Sequence, residues 1–367
     1  MKFTCEKALL VSAISQTSRT VAQKSVIPCL EGILLRAGVE LQLTGFNLET
    51  GITVNVGAHV TEAGSCVMPA RLFFDIVRKM PDEEISVVVD DKLQVTLYGG
   101  ATSFVITAMD AEEYPDMPDV GAENGVTMPQ SALKEMIGGI IFSVSESMSR
   151  PIYTGCLMEV NNETVTMVAV ESFRLARRTW HSETPIGQNL RFVVPATGLR
   201  EVEKLLDDSD EDVTLDLGQK HISFRMGDAT LVCRILEGDF IDWRRVVPVN
   251  NSVLLTANVA ELTASIERVS LVTSEKVKSP VRCVFGENIA DFKTVSTIGS
   301  AHDTCAIAGN GGELEIGFNC KYLLDALRAV PSEEVTLELQ NGLSSVVFTP
   351  VDDKKDFAYM VMPVRLH

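Results

Sequence analysis

Asp207-Asp208-Ser209-Asp210-Glu211-Asp212 is a dense run of carboxylates, the kind of donor set that a calcium or magnesium ion requires. The glycine and terminal glutamate of an EF-hand loop are missing from it. The run also follows a helix-like segment, at a place where two similar segments carry Pro81-Asp82-Glu83-Glu84 and Pro331-Ser332-Glu333-Glu334. A solvated helix-to-strand loop is therefore the better reading. Gly309-Asn310-Gly311-Gly312 has the glycine content of a phosphate loop, but no Lys-Ser or Lys-Thr follows and no helix starts there, so it reads as a hairpin turn. The five histidines (His59, His181, His221, His302, His367) are isolated. The eight cysteines (Cys5, Cys29, Cys66, Cys156, Cys233, Cys283, Cys305, Cys320) also stand singly, with no pair at metal-ligand spacing. They read as reduced core residues. No Gly-x-Ser-x-Gly elbow is present. Fifty acidic residues make many pairs of the kind glycoside chemistry uses, and nothing ranks one pair above another. The expectation is a protein without catalysis, metal or cofactor.

Behind these residues lies a repeat. A helical segment, Phe73 to Met80, leads into a strand, a turn and a second strand over Ile85 to Leu97. The theme returns at Leu199 to Leu206 with Val213 to Phe224, and at Leu323 to Val330 with Val335 to Phe348. The offsets agree: Met80 to Leu206 is 126 residues and Leu206 to Val330 is 124, while Ile85 to Val213 is 128 and Val213 to Val335 is 122. Three equivalent domains of about 120 residues fill the chain. The helices place apolar residues at helical spacing (Phe73, Ile76, Val77, Met80; Leu199, Val202, Leu206; Leu323, Leu327, Val330), so one face of each lies on a sheet. The strand pairs turn at Asp90-Asp91-Lys92, Gly218-Gln219-Lys220 and Gln340-Asn341-Gly342. Each domain holds two smaller helix-plus-strand half-units. In the first, Leu10, Ala13, Ile14 and Thr17 mark a helix, and strands follow at Gly32 to Arg36, Leu41 to Thr44 and Gly51 to Val56. A helix capped by Ser131 opens the second domain and one from Asn258 opens the third. Joints are expected at Tyr114 to Asp119 and at Arg244 to Asn250, both marked by proline.

A 367-residue chain with 46% hydrophobic residues can build several cores, and its net charge of −18 favours solubility. No apolar run reaches a membrane span, and Met1 to Lys7 lacks the pattern of a signal peptide, so a cytoplasmic protein is expected. Taking helices at 6–24, 70–80, 130–150, 196–206, 258–278 and 319–330, they carry 15 Lys or Arg against 10 Asp or Glu, net +5. The remainder has 17 against 40, net −23. A locally basic helical side on an acidic body suits weak, salt-sensitive contact with nucleic acid phosphates.

Met1-Lys2-Phe3-Thr4, Pro69 to Ile76, Phe240-Ile241-Asp242-Trp243-Arg244-Arg245-Val246, Ile316-Gly317-Phe318-Asn319, Tyr322-Leu323-Leu324-Asp325 and Tyr359 to Leu366 occur in this order over the whole length. Together with the triplicated period they resemble the bacterial DNA polymerase III beta subunit, the replicative sliding clamp. The resemblance implies an α+β chain of three similar clamp domains, 1–119, 120–247 and 248–367, each of two helix-plus-sheet half-units. Two subunits would close head to tail into a ring around duplex DNA, with helices lining the hole and sheets outside. Such a ring is a processivity factor of chromosomal replication: it slides along DNA without sequence specificity and tethers the replicative polymerase.

By the family's pattern, Lys24, Arg71, Arg78, Arg150, Arg200 and Lys321 face DNA, and Phe104, Ile106, Leu271 and Val272 fall at the dimer interface. A hydrophobic cleft would take short linear motifs, rich in Gln, Leu and Phe, from the polymerase, the clamp loader, translesion polymerases and repair proteins. The matching positions are Arg150, Tyr153, Gly155, Val170, Ser172, Phe173, Arg174, Leu175, Ile241, Arg245, Val246, Asn319, Tyr322, Leu343, Ser345, Met360, Val361, Met362, Pro363, Val364 and Arg365. Leu, Val and Met walls accept apolar anchors, and arginines meet peptide carbonyls or acids. Many members read Thr-Asp-Gly-His-Arg-Leu where this chain has Val170-Glu171-Ser172-Phe173-Arg174-Leu175, which points to a somewhat different preferred motif. The extra terminal His367 also bears on the rim of the cleft. Two other classes predict different behaviour: a peptide-binding scaffold that does not encircle nucleic acid would not be retained on circular DNA, and a carboxylate hydrolase would show two facing acids in a deep cleft with a raised carboxyl pKa.

Overall fold

The computed structural model describes residues 1–121, 125–273, 279–352 and 356–366, so His367 lies outside the described residues. Among the described residues a strand leads six times into a helix and then into three further strands or strand limbs. The first half-unit is β1 (Lys2–Glu6), α1 (Lys7–Thr17), β2 (Gly32–Ala37), β3 (Leu41–Phe46) and β4 (Thr50–Val56), followed by a linking strand β5 (Ala58–Glu62). The second is β6 (Gly64–Pro69), α2 (Ala70–Lys79), β7 (Glu84–Val89), β8 (Gln94–Gly99) and β9 (Thr102–Thr107). The third is β10 (Gly125–Pro129), α3 (Gln130–Gly138), β11 (Gly155–Val160), β12 (Thr164–Val170) and β13 (Arg174–His181). The fourth is β14 (Leu190–Pro195), α4 (Ala196–Leu205), β15 (Asp212–Leu217), β16 (His221–Met226) and β17 (Ala229–Arg234). The fifth has β18 (Val253–Asn258), α5 (Val259–Ser270) and the long, bent pair β19 (Val281–Ser296) and β20 (Gly299–Phe318). The end of β20 opens the sixth, with α6 (Cys320–Arg328), β21 (Glu334–Leu339), β22 (Val346–Thr349) and β23 (Phe357–Val361).

Strand pairing locks these half-units in twos. The strand before one helix pairs with the first strand after its sister's helix, and the reverse. Thus β1 pairs β7 while β6 pairs β2, β10 pairs β15 while β14 pairs β11, and β18 pairs β21 while the end of β20 pairs the start of β19. The third strands then join neighbours: β4 pairs β17 and β13 pairs β23, all antiparallel. The result is a five-stranded sheet (β5-β1-β7-β8-β9), an eight-stranded sheet (β10-β15-β16-β17-β4-β3-β2-β6) and a ten-stranded sheet (β14-β11-β12-β13-β23-β22-β21-β18-β20-β19). The described residues form two compact units, Met1–Ser131 with Glu201–Ile235 and Ala132–Arg200 with Leu236–His367. Each of the three sheets lies within one unit, while α3 and α4 carry the chain from one to the other.

The helices form where their apolar spacing demands. On α2, Phe73, Ile76 and Val77 are buried, Arg71 and Arg78 are exposed, and Arg78 and Lys79 sit in the last turn, where the helix dipole favours cations. Asn258 and Asn319 cap α5 and α6, their side chains accepting from the backbone N–H of Glu261 (3.0 Å) and Lys321 (2.9 Å). In the sheets Ile85, Val87 and Val89 alternate inward, and burying each such side chain contributes roughly 1.5–3 kcal/mol. All eight cysteines are buried as free thiols, and burial pushes Cys66, Cys156 and Cys233 up to about 12.

Five expectations need correction. The segment 6–24 is helical only to Thr17 before a single 3-10 turn, and 130–150 only to Gly138, because Gly138-Gly139 ends α3 before the apolar run Ile140-Ile141-Phe142. The six observed helices therefore carry 10 Lys or Arg against 7 Asp or Glu, net +3 instead of +5, and Lys24 and Arg150 lie in loops. Ser131 is not a cap: it sits one residue inside α3, with its hydroxyl toward Asp210 at 3.5 Å, while the Gln130 side chain accepts from the Asp207 N–H (3.0 Å). Gly309 to Gly312 is not a hairpin turn but a bend within β20. Gly311 lies so close to Phe285 that a Cβ would meet its carbonyl oxygen at 2.2 Å, and positive φ at Asn288, Gly309, Gly312 and Glu313 absorbs the bend in both strands. The expected helix 258–278 stops at Ser270, and its last positions, 274–278, lie outside the described residues.

Candidate functional site

Alternation along six strands builds one apolar face on the ten-stranded sheet. Leu157 on β11, Val168 on β12, Leu175 on β13, Val193 on β14, Val347 on β22, and Ala358 and Met360 on β23 are buried together with Phe240. The pairing fixes this register: Leu157 lies opposite Val168, Leu175 opposite Met360, and Val347 opposite Met360. Across the face runs a strap, 236–247, whose Leu236, Trp243, Val246 and Val247 pack on it beside Ile152, Tyr153 and Val170. Leu236 anchors one end through its N–H to the Val193 carbonyl (2.9 Å). Gly155 is required beneath it, since a Cβ there would meet the Val194 carbonyl oxygen at 2.5 Å and Leu236 Cδ1 at 2.8 Å. Tyr153 meets Phe240 edge to face, centroids 5.3 Å apart.

A second group gathers at the turn between β12 and β13. Arg174 is buried, ion-paired to Glu171 and to Asp325, with its guanidinium 4.5 Å from the centre of the Tyr322 ring and 5.6 Å from that of Phe142. Phe173, 52% exposed, stacks on Tyr322 with centroids 6.2 Å apart and planes at 23°. Burial, and then the Glu171 charge, push the Tyr322 hydroxyl above its ordinary pKa. The Phe173 carbonyl accepts from the Met362 N–H (2.9 Å), which leads the tail past Phe173. Val364 N–H then bonds the Gly317 carbonyl (2.7 Å). Ile241, Leu343, Met362 and Val364 are large apolar side chains left exposed.

Of the positions named from sequence, Tyr153, Val170, Leu175, Val246 and Met360 come together on or against the apolar face, with Gly155 under the strap. Phe173, Arg174 and Tyr322 form the aromatic–cation group, and Asn319 caps the helix that carries Tyr322. Val361 is fully buried on the opposite side of β23 from Met360, so its side chain does not belong to that face. Arg150, Ser172, Arg245 and Arg365 are exposed, and Ser345 and Pro363 are half-buried. Arg71, Arg78, Arg200 and Lys321 are exposed on helices, Lys24 and Arg150 on loops. Phe104 and Ile106 share one face of β9, the outer strand of the five-stranded sheet. Leu271 is 79% exposed just past α5, and the neighbouring Val272 carbonyl accepts from the Ser296 hydroxyl (2.6 Å).

The sequence reading missed Glu159, Arg177, Arg191 and Trp243 as parts of one construction. Glu159 Oε2 accepts from Trp243 Nε1 (3.1 Å) and Arg244 Nη2 (2.8 Å), and Glu159 Oε1 from Arg191 Nε (3.3 Å). A lone acid inside the apolar strand Cys156-Leu157-Met158-Glu159-Val160 was the available signal. Among the described residues no three His, Cys, Asp or Glu side chains converge as a metal requires, and no helix is long and apolar enough to cross a membrane.

Residues 1–118, 127–242 and 244–365 match, in turn, the family profiles of the DNA polymerase III beta subunit N-terminal, central and C-terminal domains. Beta sliding clamps of Staphylococcus epidermidis and Staphylococcus aureus are 29% and 27% identical to the chain over 378 aligned residues, covering 100% of each partner in the comparison. Among solved structures, a putative DNA polymerase III beta subunit from Eubacterium rectale has a TM-score of 0.95 at 27% identity, and the DNA polymerase sliding clamp of Bacillus subtilis 0.95 at 26%. The Pseudomonas aeruginosa sliding clamp bound to griselimycin has 0.93 at 28%, and all three comparisons cover 100% of both chains. Three consecutive clamp domains of mixed helix and sheet, as the repeat implied, thus make up a chain that belongs to the DNA polymerase III beta subunit family, the non-catalytic sliding clamps that serve replication as processivity subunits.

Proposed function

We propose that two copies of this chain, each of domains 1–119, 120–247 and 248–367, close head to tail into a ring that encircles duplex DNA. The observation that carries this reading is the fate of the third strands. Four of the six find partners within the chain, β4 with β17 and β13 with β23. Among the described residues the remaining two, β9 and the 299–308 limb of β20, keep long edges without such a partner: β9 pairs β8 alone, and the β20 limb, β19 apart, touches β18 at Thr256 and Ala308. Apolar groups stand beside both edges, with Phe104 and Val105 on one and Leu271 and Ile298 near the other. Joining these edges between two copies removes both, and twofold symmetry makes the same junction twice.

The helices, net +3 on a chain of net −18, then supply weak, non-specific phosphate contact through Arg71, Arg78, Arg200 and Lys321, aided by Lys24 and Arg150 on loops. Topology, and not adhesion, retains the ring on DNA, so a tethered polymerase gains effective concentration at the primer while the ring slides. The face floored by Leu175 and Met360, together with the Phe173–Tyr322 group, is the docking cleft for linear motifs of the replicative polymerase, the clamp loader, translesion polymerases and repair proteins. The protein acts in the cytoplasm. Primer extension on a long single-stranded circle, with the cognate polymerase and loader and excess trap DNA, tests the role. Addition of the protein should lengthen the product of a single binding event many-fold, and an unchanged length would refute it.

A further inference from the structure

We infer that Glu159 is a positioning residue for the peptide cleft: it holds the strap 236–247 against the sheet and so fixes the wall that Val246 and Val247 present. This rests on the cleft reading given above. Glu159 is the point at which three elements meet. From the strap it receives Trp243 Nε1 at 3.1 Å and both Arg244 terminal nitrogens, at 2.8 and 3.3 Å. From β14 it receives Arg191 Nε at 3.3 Å, and the same arginine reaches on through Nη2 to the Phe240 carbonyl at 3.2 Å. Two cations lie near the Trp243 ring, the Arg244 guanidinium carbon 4.3 Å and that of Arg177 5.5 Å from its centroid.

Two features make this more than a surface ion pair. The carboxylate is only 19% exposed and Trp243 is half-buried, so the bond between the indole N–H and the carboxylate is shielded from water. The strap's apolar members, Trp243, Val246 and Val247, pack on the same buried cluster that contains Leu175 and Met360. A loosened strap therefore moves the wall of the cleft while leaving the floor strands paired. Because Arg191 and Arg244 are half-exposed, part of their attraction to Glu159 is screened.

The test places Glu159→Ala and Glu159→Gln in a Trp180→Phe background, so that emission reports Trp243 alone. Acrylamide quenching and emission wavelength read the strap. Anisotropy of a fluorescein-labelled Gln-Leu-Ser-Leu-Phe peptide reads the cleft, and thermal melting reads the fold. With Glu159→Ala, Trp243 should shift to the red and quench more readily, and the peptide should bind about tenfold more weakly with melting little changed. Glu159→Gln should fall between, and it decides the matter if the alanine variant fails to fold. Unchanged Trp243 quenching, or a freed Trp243 with unchanged peptide affinity, would overturn the inference. If the Trp180→Phe parent binds no peptide while Glu159→Ala still frees Trp243, the cleft reading itself fails and the positioning role falls with it.

Discussion

Leu271→Ala should dissociate the ring without harming the chain. In the single chain Leu271 is 79% exposed, so it contributes little to folding, and the change should move chain stability by no more than about 0.5 kcal/mol. At a junction between copies that exposed surface would be covered. Leu to Ala removes three carbons at about 0.8 kcal/mol each, which, scaled by the 79% available for burial, is about 2 kcal/mol per junction. A twofold ring contains the junction twice, so the dimer loses about 4 kcal/mol, about a thousandfold in its dissociation constant. Sedimentation velocity over a wide concentration range measures this, with thermal melting of the dilute protein as the control. A dissociation constant within threefold of the parent's, or a large fall in the melting temperature of the monomer, would refute the assignment of Leu271 to a junction.

Arg174→Ala leaves the Glu171 and Asp325 carboxylates partly buried without their cation and should cost about 3 kcal/mol in urea denaturation, while adding Asp325→Asn should recover part of that loss. Glu159 titrates low: burial pushes its carboxyl up, but hydrogen bonds from Arg244 and Trp243, the Arg244 charge and Arg191 outweigh burial and hold it below the ordinary carboxylate value. Its hold on the strap is therefore present in full above about pH 4.3 and is lost only as pH falls through the depressed value. Facing it are Arg191 from β14 and Arg244 of the strap, with Arg177 of β13 also near the Trp243 ring, so Trp243 emission should show an acid transition below the ordinary carboxylate range that Glu159→Gln abolishes. Replacing Arg71 and Arg78 with alanine should weaken non-specific DNA binding equally on all sequences and lower the salt slope by about one for each phosphate that is no longer neutralised, as read by anisotropy on duplex DNA.

How much could be read from residues alone depended on the range of the interaction. Helix and hairpin periodicity is local, so Phe73, Ile76 and Val77, and the strands that follow them, were visible, and their return at fixed offsets gave three domains and six half-units. The pairing of third strands was not visible. Val54 lies opposite Ala229 and Arg174 opposite Val361, contacts between strands about 180 residues apart whose alternation resembles that of many others. Helix ends were overrun where apolar residues continue past a break, as Ile140 to Phe142 do past Gly138-Gly139. In the site, the segment Phe240 to Val246 stood out as a motif, yet its anchor, Glu159, is 84 residues from Trp243 and carries no local pattern. The bend at Gly309 to Gly312 was misread because glycine-rich turns and glycine-rich bulges share a composition and differ only in what lies opposite.

The proposed hold on DNA is topological. The most direct measurement loads labelled protein onto nicked circular duplex DNA, removes free protein by gel filtration at moderate salt, and then cuts the circle once with a restriction enzyme. The protein should co-elute with the intact circle and leave the DNA on linearisation, whereas retention that is unchanged by cutting, or absent from the circle after loading, would contradict it.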